Sequence, residues 1–225
     1  MRREVTLADI SDGRLYDSND MVKADCQDCK GCCDCCKGMG DTVVLDPYDV
    51  VRMAGGLGKT TEQLIAEDLE LGVQDGNILP HLKMKAGAEE RCTFLNDEGR
   101  CSIHSVRPGI CRLFPLGRFY EDHSYKYFLQ IYECKKTNRT KVKARKWIDT
   151  PNTAVYERFI GDWHYFLLDT QEIMERMDDE QLSKNLNLYI LRNFYLKPYH
   201  EDGDFYEQFY QRLQEAKNML GYAPM

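Results

Sequence analysis

The stretch DCQDCKGCCDCCKGMG, residues 25–40, places six cysteines within the eleven positions from Cys26 to Cys36. Such a density is typical of a disulfide framework, a reactive dithiol or a metal site. The first twenty residues, MRREVTLADISDGRLYDSND, contain no apolar run of the kind that a signal peptide or a membrane span requires. We therefore expect a cytoplasmic protein with no membrane partner. Because structural disulfides are rare in that reducing compartment, the clustered cysteines indicate metal or redox chemistry.

Composition narrows the possible partners further. Of the 225 residues, 43% are apolar, so the chain can build a core without disulfides. The formal net charge of −7 argues against a nucleic-acid partner, because phosphate binding depends on an excess of Lys and Arg. One local exception is KKTNRTKVKARKW, residues 135–147, with seven Lys or Arg residues. We favour a solvated connector for this segment, and an anion or nucleic-acid contact is the alternative.

The distribution of cysteines divides the chain. All ten lie between Cys26 and Cys134, and the last 91 residues contain none. We predict an N-terminal extension at 1–25, a cysteine-cluster metal-binding domain at 26–134, and a helical part at 135–225 that packs with it as one unit. The overall prediction is an α+β fold, in which a metal-stapled lobe with short hairpins packs against a C-terminal helical layer.

Local signals place the elements within these parts. VVLDPYDVVRMAGGLG predicts a helix that starts at Asp46 and Pro47 and ends at a glycine, and TTEQLIAEDL predicts a second, capped by Thr60 or Thr61. Two stretches resemble hairpins: CTFLNDEGRCSIH turns at 96–99, and LGRFYEDHSYKYFLQIYEC turns at 121–124. Apolar residues at helical spacing then predict three helices, within TAVYERFIGDWHYFLLDTQEIMERM, DEQLSKNLNLYILRNFYL and DFYEQFYQRLQEAKNML.

The spacing within the cysteine run allows two registers. Cys26, Cys29, Cys32 and Cys35 are each three residues apart, and Cys33 and Cys36 are added, so CxxCxxCC can end at either doubled pair. CxxC pairs recur in zinc and iron–sulfur sites. Neighbouring side chains diverge, so two adjacent cysteines can hardly bind the same single ion. They suit a multi-iron cluster or two separate sites. Four more thiols complete the set: Cys92, Cys101, Cys111 and Cys134.

Three segments together carry a resemblance to a known family. CKGCCDCC, VVLDPYDVVRMAGGLG and CTFLNDEGRCSIHSVRPGICRLFPLG resemble the YkgJ-type cysteine-cluster family of bacteria and archaea, a zinc- or iron-chelating CxxCxxCC domain. His104 stands where that family usually has tyrosine. The chain also resembles, more distantly, the flagellin lysine N-methylases, which are associated with an iron–sulfur cluster, but it contains no GxGxxG loop. The first resemblance implies these metal ligands: Cys29, Cys32, Cys35, Cys36, Cys92, Cys101 and Cys111, with Cys134 as an eighth and Cys26 and Cys33 as additional thiols.

Several functions agree with these observations. We favour one or two iron–sulfur clusters, of the four-iron type, for redox or cluster-assisted chemistry, because doubled cysteines suit polynuclear clusters better than zinc. Arg107 and Arg112 would then offset the negative charge of the thiolates, or brace their loop. The alternatives are a structural zinc protein, a protein that handles zinc or iron without turnover, and a lysine N-methylase-like enzyme. The expected partners are metal ions and a redox or protein partner.

Overall fold

The computed structural model describes residues 6–27, 29, 32–87, 89–200 and 202–221. Its helices and strands are numbered in chain order. The helices are α1 Leu7–Ile10, α2 Pro47–Leu57, α3 Thr61–Asp68, α4 Gly109–Leu113, α5 Ala144–Ile148, α6 Thr153–Met177, α7 Glu180–Ile190 and α8 Phe205–Met219. The strands are β1 Ser11–Tyr16, β2 Met21–Asp25, β3 Leu69–Gln74, β4 Asn77–Leu82, β5 Met84–Lys85, β6 Arg91–Cys92, β7 Leu116–Glu121, β8 Ser124–Gln130 and β9 Thr140–Lys143.

The strands form small antiparallel sheets. One sheet has the order β1-β8-β7, and three two-stranded ribbons pair β2 with β9, β3 with β4 and β5 with β6. The predicted turn at 121–124 is confirmed, because Glu121 pairs with Ser124 at the end of the β7–β8 hairpin. Two of these strands come from the segment predicted as an N-terminal extension: β1 pairs with β8, and β2 pairs with β9. With the C-terminal helices, these short sheets give the predicted α+β fold.

Helix α2 begins and ends as its sequence predicts. The Asp46 carboxylate caps the helix by accepting the Asp49 N–H at 2.8 Å, and Pro47 occupies the first turn. Gly58 ends it in the left-handed conformation, with φ of 63°, which favours glycine. Helix α3 is capped by Thr60, one of the two predicted candidates, whose hydroxyl accepts the Gln63 N–H at 3.2 Å. Both helices are therefore specified by local residues.

The C-terminal layer consists of α6, α7 and α8, as the helical spacing predicts. Phe159, Trp163 and Phe166 are buried along α6, and Asp204 caps α8. A π-helical turn at Leu191–Leu196 continues α7. Buried Arg212 donates to the carbonyls of Asn193, Lys197 and Pro198 at the end of this turn. These bonds satisfy carbonyl groups that the irregular turn leaves without helical partners.

A single hydrophobic cluster joins the two parts of the chain. It contains residues of the cysteine-rich part, such as Leu95 and Leu113, together with Phe159 and Phe209 of the C-terminal helices. The Tyr195 hydroxyl adds a buried polar link by donating to the Leu45 carbonyl at 2.9 Å. Within the described ranges, no helix has both the length and the apolar character needed to cross a membrane.

Candidate metal centre

Outside one short 3₁₀ turn, the described residues of the cysteine run, 26–27, 29 and 32–36, form no helix or strand. The run follows β2 directly, and buried Cys26 lies with its Sγ 3.3 Å from the Sγ of Cys29. Cys29 has a positive φ of 54°, a conformation that non-glycine residues rarely adopt. A short 3₁₀ turn at Asp34–Cys36 follows, closed by the Cys36 N–H to the Cys33 carbonyl at 2.9 Å. The adjacent thiols of this turn do not diverge as expected, because a hydrogen bond joins the side chains of Cys35 and Cys36.

The residues after the run are fastened to the loop that precedes Cys92. Gly38 and Gly40 donate their N–H groups to the carbonyl and the carboxylate of Glu90, both at 2.9 Å. An ion pair of 2.6 Å between Lys37 and Glu89 lies at the same junction. These contacts connect positions about fifty residues apart, and they bring the cysteine run beside β6, which ends at Cys92.

Cys92 and Cys101 are brought together by the turn that the sequence predicts at 96–99. Leu95 and Cys101 form an antiparallel bridge, and Asn96 accepts the Gly99 N–H at 3.1 Å. Backbone N–H groups are directed at both sulfurs: that of Phe94 lowers the pKa of Cys92 and that of Ile103 lowers the pKa of Cys101, although burial raises both. Amides directed at sulfur stabilise thiolates, which is the form that binds metal.

Cys111 is positioned by a buried contact between two helices. It lies in the middle of α4, whose first N–H, that of Gly109, donates to the Asp49 carboxylate of α2 at 2.7 Å. Arg112 approaches the same carboxylate oxygen, with its Nη2 4.0 Å from Asp49 Oδ1, and both side chains are at most 4% exposed. Burial raises the pKa of Asp49, and the Arg112 charge opposes this shift. Helix α2 thus holds the helix that carries Cys111.

Eight thiols line one cavity of about 100 Å³, which we call the thiol cavity. Apolar side chains complete its walls, among them Met39, Leu82 and Phe114. The thiols belong to three separate segments of the chain, so the fold brings together cysteines that are far apart in the sequence. The cysteines are Cys29, Cys32, Cys33, Cys35, Cys36, Cys92, Cys101 and Cys111.

Four of these thiols interact mutually, and we call Cys35, Cys92, Cys101 and Cys111 the four-thiol set. Burial raises the pKa of Cys92, Cys101 and Cys111, and the charge of Cys35 raises it further in each. The pKa of Cys35 itself is raised by a hydrogen bond with Cys36 and by burial. A cation among these sulfurs would replace mutual repulsion by attraction, so the donor chemistry fits a thiophilic metal.

Two arginines line the thiol cavity, Arg100 and Arg107, and Arg107 acts on more of the thiols. Arg107 lines the cavity, and its charge lowers the pKa of Cys29, Cys35 and Cys101, which burial or a thiol hydrogen bond otherwise raises. Its Nη1 lies 2.9 Å from the Nε2 of His104, which also lines the cavity. Because arginine is always a donor, this His104 nitrogen accepts. The role of Arg107 in offsetting thiolate charge stays a prediction.

Three predicted site residues lie elsewhere. Of the ten cysteines, Cys26 and Cys134 do not line the cavity, although Cys26 contacts Cys29. Arg112 packs behind Cys111, between Asp49 and the ring of Tyr156. In the described part of the chain, no three Cys, His, Asp or Glu side chains already converge closely enough to hold one ion. The thiols therefore share a cavity without being gathered at a point.

Sequence reasoning missed two carboxylates at this site. Asp49 supports α4, and Asp34 accepts a hydrogen bond from the Cys32 thiol at 3.4 Å. The motif DPYD signals Asp49 only as part of a helix cap, because its second role depends on a contact with a residue sixty positions away. Asp34 lies between two doubled cysteines, and nothing in its local sequence distinguishes it from a solvated residue.

The fold and the site define a cysteine-rich metal-binding protein, in which thiols from three segments line one cavity. A family model spans residues 26–147, more than half of the chain, and its description is "Putative zinc- or iron-chelating domain". The chain belongs to this family, named CxxCxxCC. The matched region extends past Cys134 and includes the basic segment 135–147. Comparison with curated proteins and with solved structures returned no match.

Proposed function

We propose that the protein holds iron–sulfur chemistry in the thiol cavity, for electron transfer or cluster-assisted reaction. The observation that supports this proposal is the number of thiols, because eight line a single cavity whereas one zinc ion needs four. Cysteine thiolates are the usual ligands of iron–sulfur clusters, and hydrogen bonds to sulfur and buried surroundings tune their potentials. Arg107 would offset part of the negative charge that such a group brings into an apolar cavity.

A structural zinc ion is the second candidate, and a specific observation favours it. The four-thiol set has the ligand number of a closed zinc site, and amides directed at Cys92 and Cys101 are also common around zinc. In that case the metal would only fasten the cysteine run to the 92–101 turn and to α4. The remaining thiols of the cavity would then be packing groups or a second site.

Metal analysis after purification without oxygen separates the two candidates. An iron–sulfur protein is expected to be brown, to contain iron and acid-labile sulfide in similar amounts, and to bleach in air. A zinc protein is expected to be colourless and to contain zinc without sulfide. Colourless protein with one or two equivalents of zinc and no sulfide would contradict the iron–sulfur proposal. If iron is bound without sulfide, a mononuclear or transported metal becomes the better description.

A further inference from the structure

The β2–β9 ribbon presents an outer face that is rich in cations. Val22 pairs with Val142, and both pack towards the core. Because side chains alternate along a strand, the residues on either side of this pair point outward. Met21 lies opposite Lys143 and is 50% exposed. Helix α5 continues from β9 with Ala144 and Ile148 buried, Trp147 half-buried, and Arg145 and Lys146 exposed. The cations of this surface, which we call the basic face, are Lys23, Lys141, Lys143, Arg145 and Lys146.

These cations are available for an external partner. Within the described ranges, none of the five side chains forms an ion pair or a hydrogen bond, whereas nearby Lys126 and Lys135 pair with Asp17 and Asp34. The Asp25 carboxylate, at the end of the ribbon, is engaged by Thr140 and by the Gln27 N–H. Five like charges on one small surface repel each other, so an anionic partner would relieve this repulsion.

The basic face adjoins the candidate metal centre. Cys26 directly follows β2, and five residues separate Cys134 from the start of β9. Lys136 lies between Cys134 and β9, and its charge lowers the pKa of the Cys32 thiol, which burial raises. Positive charge therefore continues from the ribbon to the rim of the cysteine lobe. A partner that covers the basic face would lie beside the thiols.

The chemistry of the face favours a compact acidic protein over a nucleic acid. The whole chain carries a net charge of −7 although this face holds five cations, so the rest of its surface repels an extended polyanion. Single-stranded nucleic acids also need aromatic platforms on which bases stack, and the face contributes none from β2, β9 or the outward part of α5. A compact acidic protein needs charge complementarity only with the basic face, and not with the rest of the chain's surface.

We propose that the basic face docks an acidic protein surface next to the metal centre. The proposal goes beyond metal binding and holds for either metal, because it depends on the ribbon and not on the cavity. Exposed Met21 would supply an apolar contact at the middle of an otherwise charged surface. The attraction would act mainly on the rate of association and would weaken as salt increases.

The test uses the full chain and a fluorescein-labelled, glutamate-rich peptide as the acidic probe, with fluorescence anisotropy as the readout. In the variant K23E/K141E, binding is expected to weaken by at least about tenfold at low salt. The control R176E/K184E changes the net charge equally at exposed positions of α6 and α7, and its binding is expected to change by less than about twofold. Circular dichroism checks that both variants fold, and K23Q/K141Q replaces the first variant if charge reversal prevents folding.

Two outcomes would overturn the proposal. Equal weakening in the face and control variants would show that net charge, and not the basic face, controls binding. Tighter binding of single-stranded or duplex DNA than of a peptide with the same number of charges would make the face a nucleic-acid surface. Metal content is measured on every sample, so failure of the docking proposal is distinguished from failure of the proposed metal chemistry.

Discussion

The ten thiols of this chain are not equivalent, although the sequence crowds six of them together. The charges of Cys35, Cys92 and Cys101 act on Cys111, and Asp49 holds the N-terminus of the helix that carries it. Cys26 contacts only the edge of the site through Cys29, and Cys134 lies in an irregular segment outside the cavity. The position of each cysteine in the fold, and not its spacing in the sequence, therefore indicates which thiols are the stronger candidates for binding metal.

This ranking predicts unequal losses of metal. Cys111→Ser is expected to remove more than about half of the bound metal, because a four-ligand site with one thiolate missing binds weakly. Cys26→Ser and Cys134→Ser serve as matched controls and are expected to keep most of it. Iron, zinc and sulfide are quantified per folded chain. Equal losses in the three variants would show that the cavity does not mark the ligand set.

His164 provides a residue-scale prediction that does not involve the metal. Its ring stacks on Tyr120 with the ring centroids 3.6 Å apart, and burial together with the charge of Arg118 lowers its pKa to about 4. Between pH 6.5 and 4 the unfolded chain binds a proton that the folded chain does not. The free energy of unfolding should therefore fall as the pH falls through this window.

The expected contribution of His164 is about 1 kcal/mol between pH 7 and pH 5, after allowance for its partial exposure. Urea unfolding of His164→Gln should show a smaller loss over this interval than the unchanged protein. The control Gln214→Ala, at an exposed position of α8, changes no titratable group and should leave the slope unchanged. An identical pH dependence in all three proteins would exclude His164 as the responsible group.

At the scale of elements, the β3–β4 hairpin depends on one buried amide. Asn187 of α7 accepts the Ile78 N–H at 2.5 Å and donates to the carbonyls of Gly76 and Ser183, both at 3.0 Å. Thr170 of α6 adds a bond to Asn77 in the same turn, at 3.0 Å. The hairpin is thus attached to the helical layer by polar contacts across more than ninety residues of sequence.

Replacing Asn187 with Leu should lower the free energy of unfolding by about 2–3 kcal/mol, because buried backbone groups of the turn lose their partner. The exposed neighbour Asn185, which only accepts a bond from Gln181, supplies the control Asn185→Ala, with an expected change below about 0.5 kcal/mol. Urea denaturation measures the free energy of unfolding of both variants. A small effect at Asn187 would mean that the hairpin reorganises or exchanges these bonds with water.

The Asn187 contact also illustrates which elements could be predicted from the sequence. The caps of α2 and α3 depend on neighbouring residues, so Asp46 and Thr60 signal them directly. The pairing of β1 with β8 joins residues more than a hundred positions apart, and no local pattern specifies that partner. The same limit applies to the site: the spacing predicts which thiols are candidates, but the exclusion of Cys134 from the cavity follows only from the fold.

At the scale of the whole molecule, the continuous core couples the thiol cavity to the C-terminal helices. Cys92, Leu95 and Leu113 belong to the same buried cluster as Phe159 and Phe209. Loss of order around the thiols therefore exposes surface that the helical layer also buries. Metal that binds only the folded chain should accordingly stabilise the entire molecule and not the cysteine-rich part alone.

Removal of the metal with a chelator should lower the Tm of one cooperative transition by about 5–10 °C, as expected for a loss of 2–3 kcal/mol in a chain of this length. Far-UV circular dichroism follows the helices, and the fluorescence of Trp147 and Trp163 follows the core. The two signals should shift together because Trp163 packs on Phe194 in the shared core. Restoring the metal should recover the original Tm, and the chelator should have little effect on Cys111→Ser. Two separate transitions, with the helices unchanged, would show instead that the cysteine-rich part unfolds independently.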